Sequence, residues 1–278
     1  MNKFLFSLFL VSSFMLILTA CAPAPTAAPT ASSLPSREPS PTSEPFIVTP
    51  VESAFAPGPT AAPLEDILAT HTVIFNAADG IMITGELYGS GKTAVIFSVM
   101  GNCKPGWREF AQLTAAQGLM ALTYQWRGCS EFRLADEDEL RNFLNDARGA
   151  VHFVREEGAE KLILVGASLG GLASAELALE SQASGIVVVA APPGISDWGF
   201  EIEAADLETD IPKLFITAEH DPTVPVSATR QLYDLAAEPK EWQIYPGYVH
   251  GTDLFETESG EQMQRRILEF ILAVASMN

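Results

Sequence analysis

From residue 71 onward the chain alternates short apolar runs with amphipathic segments. Residues 71–75 and 81–88 are strand-like and flank Asp79-Gly80, a dipeptide that favours a tight hairpin turn. Apolar, β-branched runs follow at 93–99, 119–124, 161–165, 185–190, 213–218 and 241–245. Between and after them, 106–117, 137–157, 169–181, 226–237 and 252–275 carry helical patterning. This order predicts an α/β fold: a mostly parallel sheet entered through an antiparallel hairpin, with helices on both faces. In such sheets ligands bind beyond the carboxyl ends of the strands.

The first sixty or so residues break this pattern. Lys3 precedes an apolar run at 4–18, too short for a comfortable membrane span, and Leu18-Thr19-Ala20-Cys21 closes it. That ending resembles a bacterial lipoprotein signal. The resemblance implies cleavage before Cys21, acylation of Cys21 and an extracytoplasmic, lipid-anchored location. A simple transmembrane anchor or an ordinary secretory leader are the alternatives. Residues 21–63 are dense in Pro, Ala, Ser and Thr, too poor in large apolar side chains to offset the entropy of ordering. They read as an extended tether. The expected organisation is a leader at 1–20, a tether at 21–63 and one catalytic-sized domain at 64–278.

Charge narrows the function. Sixteen basic residues face 35 acidic ones, a formal net charge of −19, and the basic residues do not cluster. A nucleic-acid partner would need a basic patch. No His/Cys/Asp spacing suggests a metal site, and no cofactor motif is visible. The acidic run Asp136-Glu137-Asp138-Glu139 is expected at a helix start, where the positive end of the helix dipole favours it.

The candidate chemistry centres on Gly166-Ala167-Ser168-Leu169-Gly170, at the junction of a strand-like run and an alanine-rich helical run. A sharp strand-to-helix turn brings two segments close together, and side chains at Gly166 or Gly170 would collide. Ser168 then stands at a helix N-terminus, where main-chain N–H groups can receive developing negative charge. Its alternative role is a helix cap. A serine nucleophile needs a base and a group to orient that base. Of the four histidines, His71 starts a strand and His152 lies within a helix, while His220 and His250 follow strands. His250 is the expected base. Asp221, at the end of the 213–218 strand, is the expected acid, with turn initiation as its other role. His220 adjoins Asp221 in sequence, and adjacent side chains rarely point the same way.

The order Ser168, Asp221, His250 and the strand–serine–helix setting resemble the α/β-hydrolases from about residue 71 to the C-terminus. The resemblance implies an acyl-enzyme mechanism, with the backbone N–H groups of Asn102 and Leu169 as the oxyanion hole. Met100 stands where many members carry histidine. Trp126-Arg127-Gly128-Cys129-Ser130 resembles a loop of the family, with Cys129 at a position usually small or histidine. In the family fold the strands at 93–99 and 119–124 are neighbours, which implies a Cys103–Cys129 disulfide. Many members insert a helical cap near residues 191–211, and this segment is too short for a large one. Trp198, Phe200 and Trp107 are candidate pocket walls, or else packing residues. The expected activity is hydrolysis of a small carboxylic ester. The alternatives are an amidase or peptidase of the same fold, and a catalytically silent binding lipoprotein.

Overall fold

The computed structural model describes residues 70–130 and 132–277. The expected leader, tether and acylated Cys21 lie outside the described residues. Strands β1 (Thr70–Asn76) and β2 (Met82–Tyr88) form the antiparallel hairpin around Asp79-Gly80. Gly80 supplies the positive φ of +87° that the turn requires. Six further strands complete the main sheet: β3 (Thr93–Ser98), β4 (Met120–Tyr124), β5 (Lys161–Ala167), β6 (Gly185–Val189), β9 (Lys213–Ala218) and β10 (Lys240–Tyr245). Their spatial order is β1-β2-β4-β3-β5-β6-β9-β10, antiparallel at the first two junctions and parallel thereafter. The central strands β3, β4 and β6 are buried at every position, as expected for strands covered on both faces.

The helices are α1 (Arg108–Ala115), α2 (Glu137–Leu140), α3 (Phe143–Glu156), α4 (Leu169–Glu180), α5 (Val226–Leu235) and α6 (Gly260–Ser276). The chain steps one way from β3 through α1 to β4, then the other way through α3 to β5 and through α4 to β6. Parallel crossovers are right-handed, so reversing direction moves the helix to the opposite face. Arg148 of α3 and Glu180 of α4 pair at 2.8 Å across one of these helical layers.

Two expected helices differ from their reading. The segment 137–157 is divided between α2 and α3. Asp136 caps α2 in a reciprocal box with Glu139, but Asn142 Nδ2 donates to the Asp138 carbonyl, offering the backbone a turn in place of a continuous helix. The segment 252–275 is likewise broken. A 3-10 turn spans Gly251–Glu256, and local bonds from the Thr257 hydroxyl to Leu254 O and from Ser259 N to the Thr257 hydroxyl separate it from α6. Between β6 and β9 the chain makes a small hairpin, β7 (Gly194–Ile195) with β8 (Phe200–Glu201), and a 3-10 turn at Ala204–Leu207.

Candidate active site

Ser168 sits between β5 and α4 with φ 54° and ψ −118°, a positive-φ conformation outside the left-handed helical region that a residue with a side chain adopts only under constraint. The constraint is close packing. A Cβ on Gly166 would lie 2.0 Å from the Gly170 carbonyl oxygen, and one on Gly170 would lie 2.1 Å from the Ser98 carbonyl oxygen. Both positions therefore exclude any side chain. Ser168 N–H donates to Val189 O at 2.8 Å, so the serine backbone is pinned to the neighbouring strand β6. Its hydroxyl makes no hydrogen bond among the described residues.

Asp221 follows β9 and is buried. Its Oδ1 accepts the N–H groups of Thr223 and Val224, each at 2.8 Å. Thus it both begins its turn and faces the histidine. His250 Nδ1 lies 2.8 Å from Asp221 Oδ2 and 3.1 Å from Oδ1, with side-chain exposures of 14% and 0%. A carboxylate there orients the ring through an Nδ1–H donor and leaves Nε2 as the basic atom. The two loops are fastened beyond the strand ends. Glu219 N–H donates to Tyr245 O, His220 N–H donates to Gly247 O, and the His220 and Tyr248 rings stack at 4.6 Å.

The His250 loop reaches the serine turn through Gly251. A Cβ there would lie 2.4 Å from Met100 Sδ and 3.4 Å from Ala167 Cβ, and φ is +58°. His250 is therefore next in sequence to a residue that packs on the immediate neighbour of Ser168. Met100 fills this contact, with Thr252 Oγ1 at 3.9 Å from its sulfur. Met100 is thus a packing residue that seats the His250 loop.

The other side of the site is the segment after β3. Gly101 lies against Leu169, its Cβ position 3.5 Å from Leu169 Cδ2. Leu169 is the first residue of α4, so its N–H has no intrahelical acceptor. Among the described residues, neither Asn102 N–H nor Leu169 N–H has a hydrogen-bond acceptor. Apart from the Cys103–Cys129 bridge, which the family resemblance implied, sequence reasoning did not find the fastenings of this segment. Trp107 Nε1–H donates to Ser98 O at 3.0 Å and Trp126 Nε1–H donates to Val99 O at 3.2 Å. Cys103, with φ +61°, is bridged to Cys129, Cα to Cα 5.6 Å. Lys104 Nζ binds the Asp253 carboxylate at 3.0 Å, tying this segment to the His250 loop. The Cys129 loop is itself anchored: Arg127 donates to buried Asp146 through N–H and Nε–H, both at 2.8 Å, and pairs with Asp79. The Arg127 guanidinium holds the Asp79 carboxyl below its usual range.

The three tryptophan and phenylalanine candidates fall apart spatially. Trp107 is fully buried against Phe97, Phe110 and Phe255, and forms part of the wall of a cavity of about 900 Å³ that reaches Asn102. Trp198 and Phe200 do not line that cavity. Both rings meet Phe143, and Trp198 Nε1–H donates to Glu137 at 2.9 Å, an acid that Arg141 and then this bond hold below its usual pKa. Among the described residues, no cluster of three or more His, Cys, Asp or Glu is arranged to hold a metal ion.

The twisted sheet with its helices is the α/β-hydrolase fold. Residues 100–269 match the model of the Alpha/beta hydrolase family, and the chain belongs to that family. Three solved structures illustrate the likeness. The esterase domain of a Rhodothermus marinus protein is 18% identical with a TM-score of 0.57, covering 72% of this chain and 99% of its own. A Pyrococcus furiosus esterase is 13% identical with a TM-score of 0.60, covering 77% and 96%. Thermogutta terrifontis esterase 2, phosphoramylated by tabun, is 16% identical with a TM-score of 0.60, covering 75% and 96%. A search of curated proteins finds no match.

Proposed function

We propose that this hydrolase is a serine esterase that cleaves carboxylic esters through an acyl-enzyme. The observation that carries the reading is the 2.8 Å contact of His250 Nδ1 with the Asp221 carboxylate, beside a serine held in a strained turn. His250 Nε2 takes the proton of Ser168 as its Oγ attacks the ester carbonyl carbon. The oxyanion is received by Asn102 N–H and Leu169 N–H. Collapse of the adduct breaks the carbon–oxygen bond to the alcohol, which leaves with the proton from His250. Water, deprotonated by the same imidazole, then releases the acid and restores the hydroxyl. Asp221 stays ionised throughout and stabilises the imidazolium.

Ester rather than amide cleavage is supported by the esterases among the structural relatives. The test is labelling of the full-length protein with a fluorophosphonate, together with turnover of short p-nitrophenyl esters and the matching anilides. The expected result is covalent labelling and ester turnover, both lost in Ser168→Ala. Faster turnover of anilides than of esters would favour an amidase, and no labelling with no turnover would favour a silent binder. The leader-like sequence ending in Cys21 supports a lipid-anchored, extracytoplasmic enzyme. Mass spectrometry of the mature N-terminus tests this. The expected product begins at an acylated Cys21, and an unprocessed Met1 overturns it.

A further inference from the structure

Two segments far apart in sequence carry groups that the esterase reading puts to work: residues 100–106 hold Asn102, and residues 250–253 hold His250. They meet at three points. Gly251 packs on Met100, and the buried Thr252 packs on Gly106 so closely that a Cβ on the glycine would overlap it. The third point is an ion pair. Lys104 Nζ lies 3.1 Å from Asp253 Oδ1 and 3.0 Å from Oδ2, so it grips both carboxylate oxygens.

Each end of this pair is built into a turn on one of the two groups. Lys104 N–H donates to Asn102 Oδ1 at 3.1 Å, closing a turn around the main chain of Asn102. Asp253 N–H donates to His250 O at 3.1 Å, closing a turn on the backbone of His250. The contact between Nζ and the carboxylate therefore joins one turn to the other. Neither charge has a second ion-pair partner among the described residues. Apolar packing brings the segments together but has no direction of its own, whereas a cation held by two oxygens fixes their relative placement. The two side chains are 57% and 34% exposed, and a pair so placed contributes little to folding. Its effect falls on alignment instead.

We propose that Lys104 and Asp253 are positioning residues, a strut that sets the imidazole of His250 relative to the main-chain amide of Asn102. The proposal rests on the esterase reading, because it concerns two groups to which that reading gives roles. Proton transfer and oxyanion capture act on one reacting ester, so a small error between the two groups slows turnover without weakening the binding of substrate.

The experiment measures kcat and KM of the full-length protein with p-nitrophenyl acetate, fluorophosphonate labelling, and melting temperature. The variants are Lys104→Met, Asp253→Asn, the two combined, and the reversed pair Lys104→Glu, Asp253→Lys. Each single variant is expected to lose about tenfold in kcat at unchanged KM, a part of the roughly hundredfold that an ångström of misplacement costs. The combined neutral variant loses no more than either single one, because both changes remove the same contact. Reversal keeps both turns, which use main-chain N–H groups, and recovers most of the loss. The melting temperature moves by less than about 4 °C throughout, as expected for an exposed pair. Unchanged kcat in both single variants overturns the proposal, and so does a loss that the reversed pair fails to recover; either leaves the esterase reading standing. A parent protein that neither labels with fluorophosphonate nor turns over the ester overturns the esterase reading, and this proposal with it.

Discussion

The backbone strain at Ser168 can be weighed by replacing the residue with glycine and with alanine. Both variants lack the hydroxyl, so both lose the proposed nucleophile. They differ in what φ 54°, ψ −118° costs them. Alanine keeps a Cβ and keeps the strain, which for a sparsely populated region is on the order of 1–3 kcal/mol. Glycine adopts the conformation freely but loses about 0.5–1 kcal/mol more through the freedom of its unfolded chain. The balance favours Ser168→Gly over Ser168→Ala by roughly 0–2.5 kcal/mol, centred on about 1 kcal/mol. For a domain of this size about 1 kcal/mol moves the melting temperature by roughly 2–4 °C. The glycine variant is therefore expected to melt a few degrees above the alanine variant, the reverse of the usual order for this pair. Scanning calorimetry of the two proteins in one buffer measures it. Equal melting points, or a lower one for glycine, would refute the claim that folding energy is stored at this turn.

Three other outcomes follow from the geometry. Asp221→Asn keeps an oxygen for the Thr223 and Val224 amides but no longer enforces the Nδ1–H tautomer of His250. Its kcat is expected to fall by about ten-thousand-fold with circular dichroism unchanged, as read in burst and steady-state assays. Removing the disulfide in Cys103→Ala, Cys129→Ala frees a loop with a sequence separation of 26, worth about 3.5 kcal/mol by chain entropy, and urea unfolding reports the loss. Glu176 is pushed above its usual pKa by burial and then by Asp206. A raised folded-state pKa means that ionised Glu176 opposes folding at neutral pH, so Glu176→Gln raises stability there. That gain shrinks as pH falls through the raised folded value and is gone below the unfolded one, which urea titrations at several pH values test.

Much of this was written locally in the chain, and the reasons are visible element by element. The run 213–218 is bounded by Pro212 and by the turn at Glu219, and β9 spans the same residues. The serine turn is legible because close approach leaves glycine as the sole choice at 166 and 170. The disulfide follows once two successive strands are taken as neighbours, as β3 and β4 are. The helix break at 141–142 was hidden, because a side-chain bond to the backbone decides it, whereas the polar run at 256–262 with Ser259-Gly260 carried a turn signal that the helical reading of 252–275 passed over. Long-range fastenings left no local trace either. Lys104 and Asp253 are separated by 149 positions, and neither stands in a motif. The aromatic residues show the same limit. Trp107, Trp126 and Trp198 look alike in a sequence, yet two hold strand-end carbonyls and the third braces a surface hairpin against α2.

Two indole clasps, a covalent bridge and an ion pair hold residues 98–104 from both sides. Under the proposed mechanism the main-chain amides there need no marshalling by an arriving ester, because folding has already set them in position. Warming is accordingly expected to find no loose hinge that opens ahead of the rest, so that any turnover persists to the edge of the melting transition; activity fading tens of degrees below it would refute this.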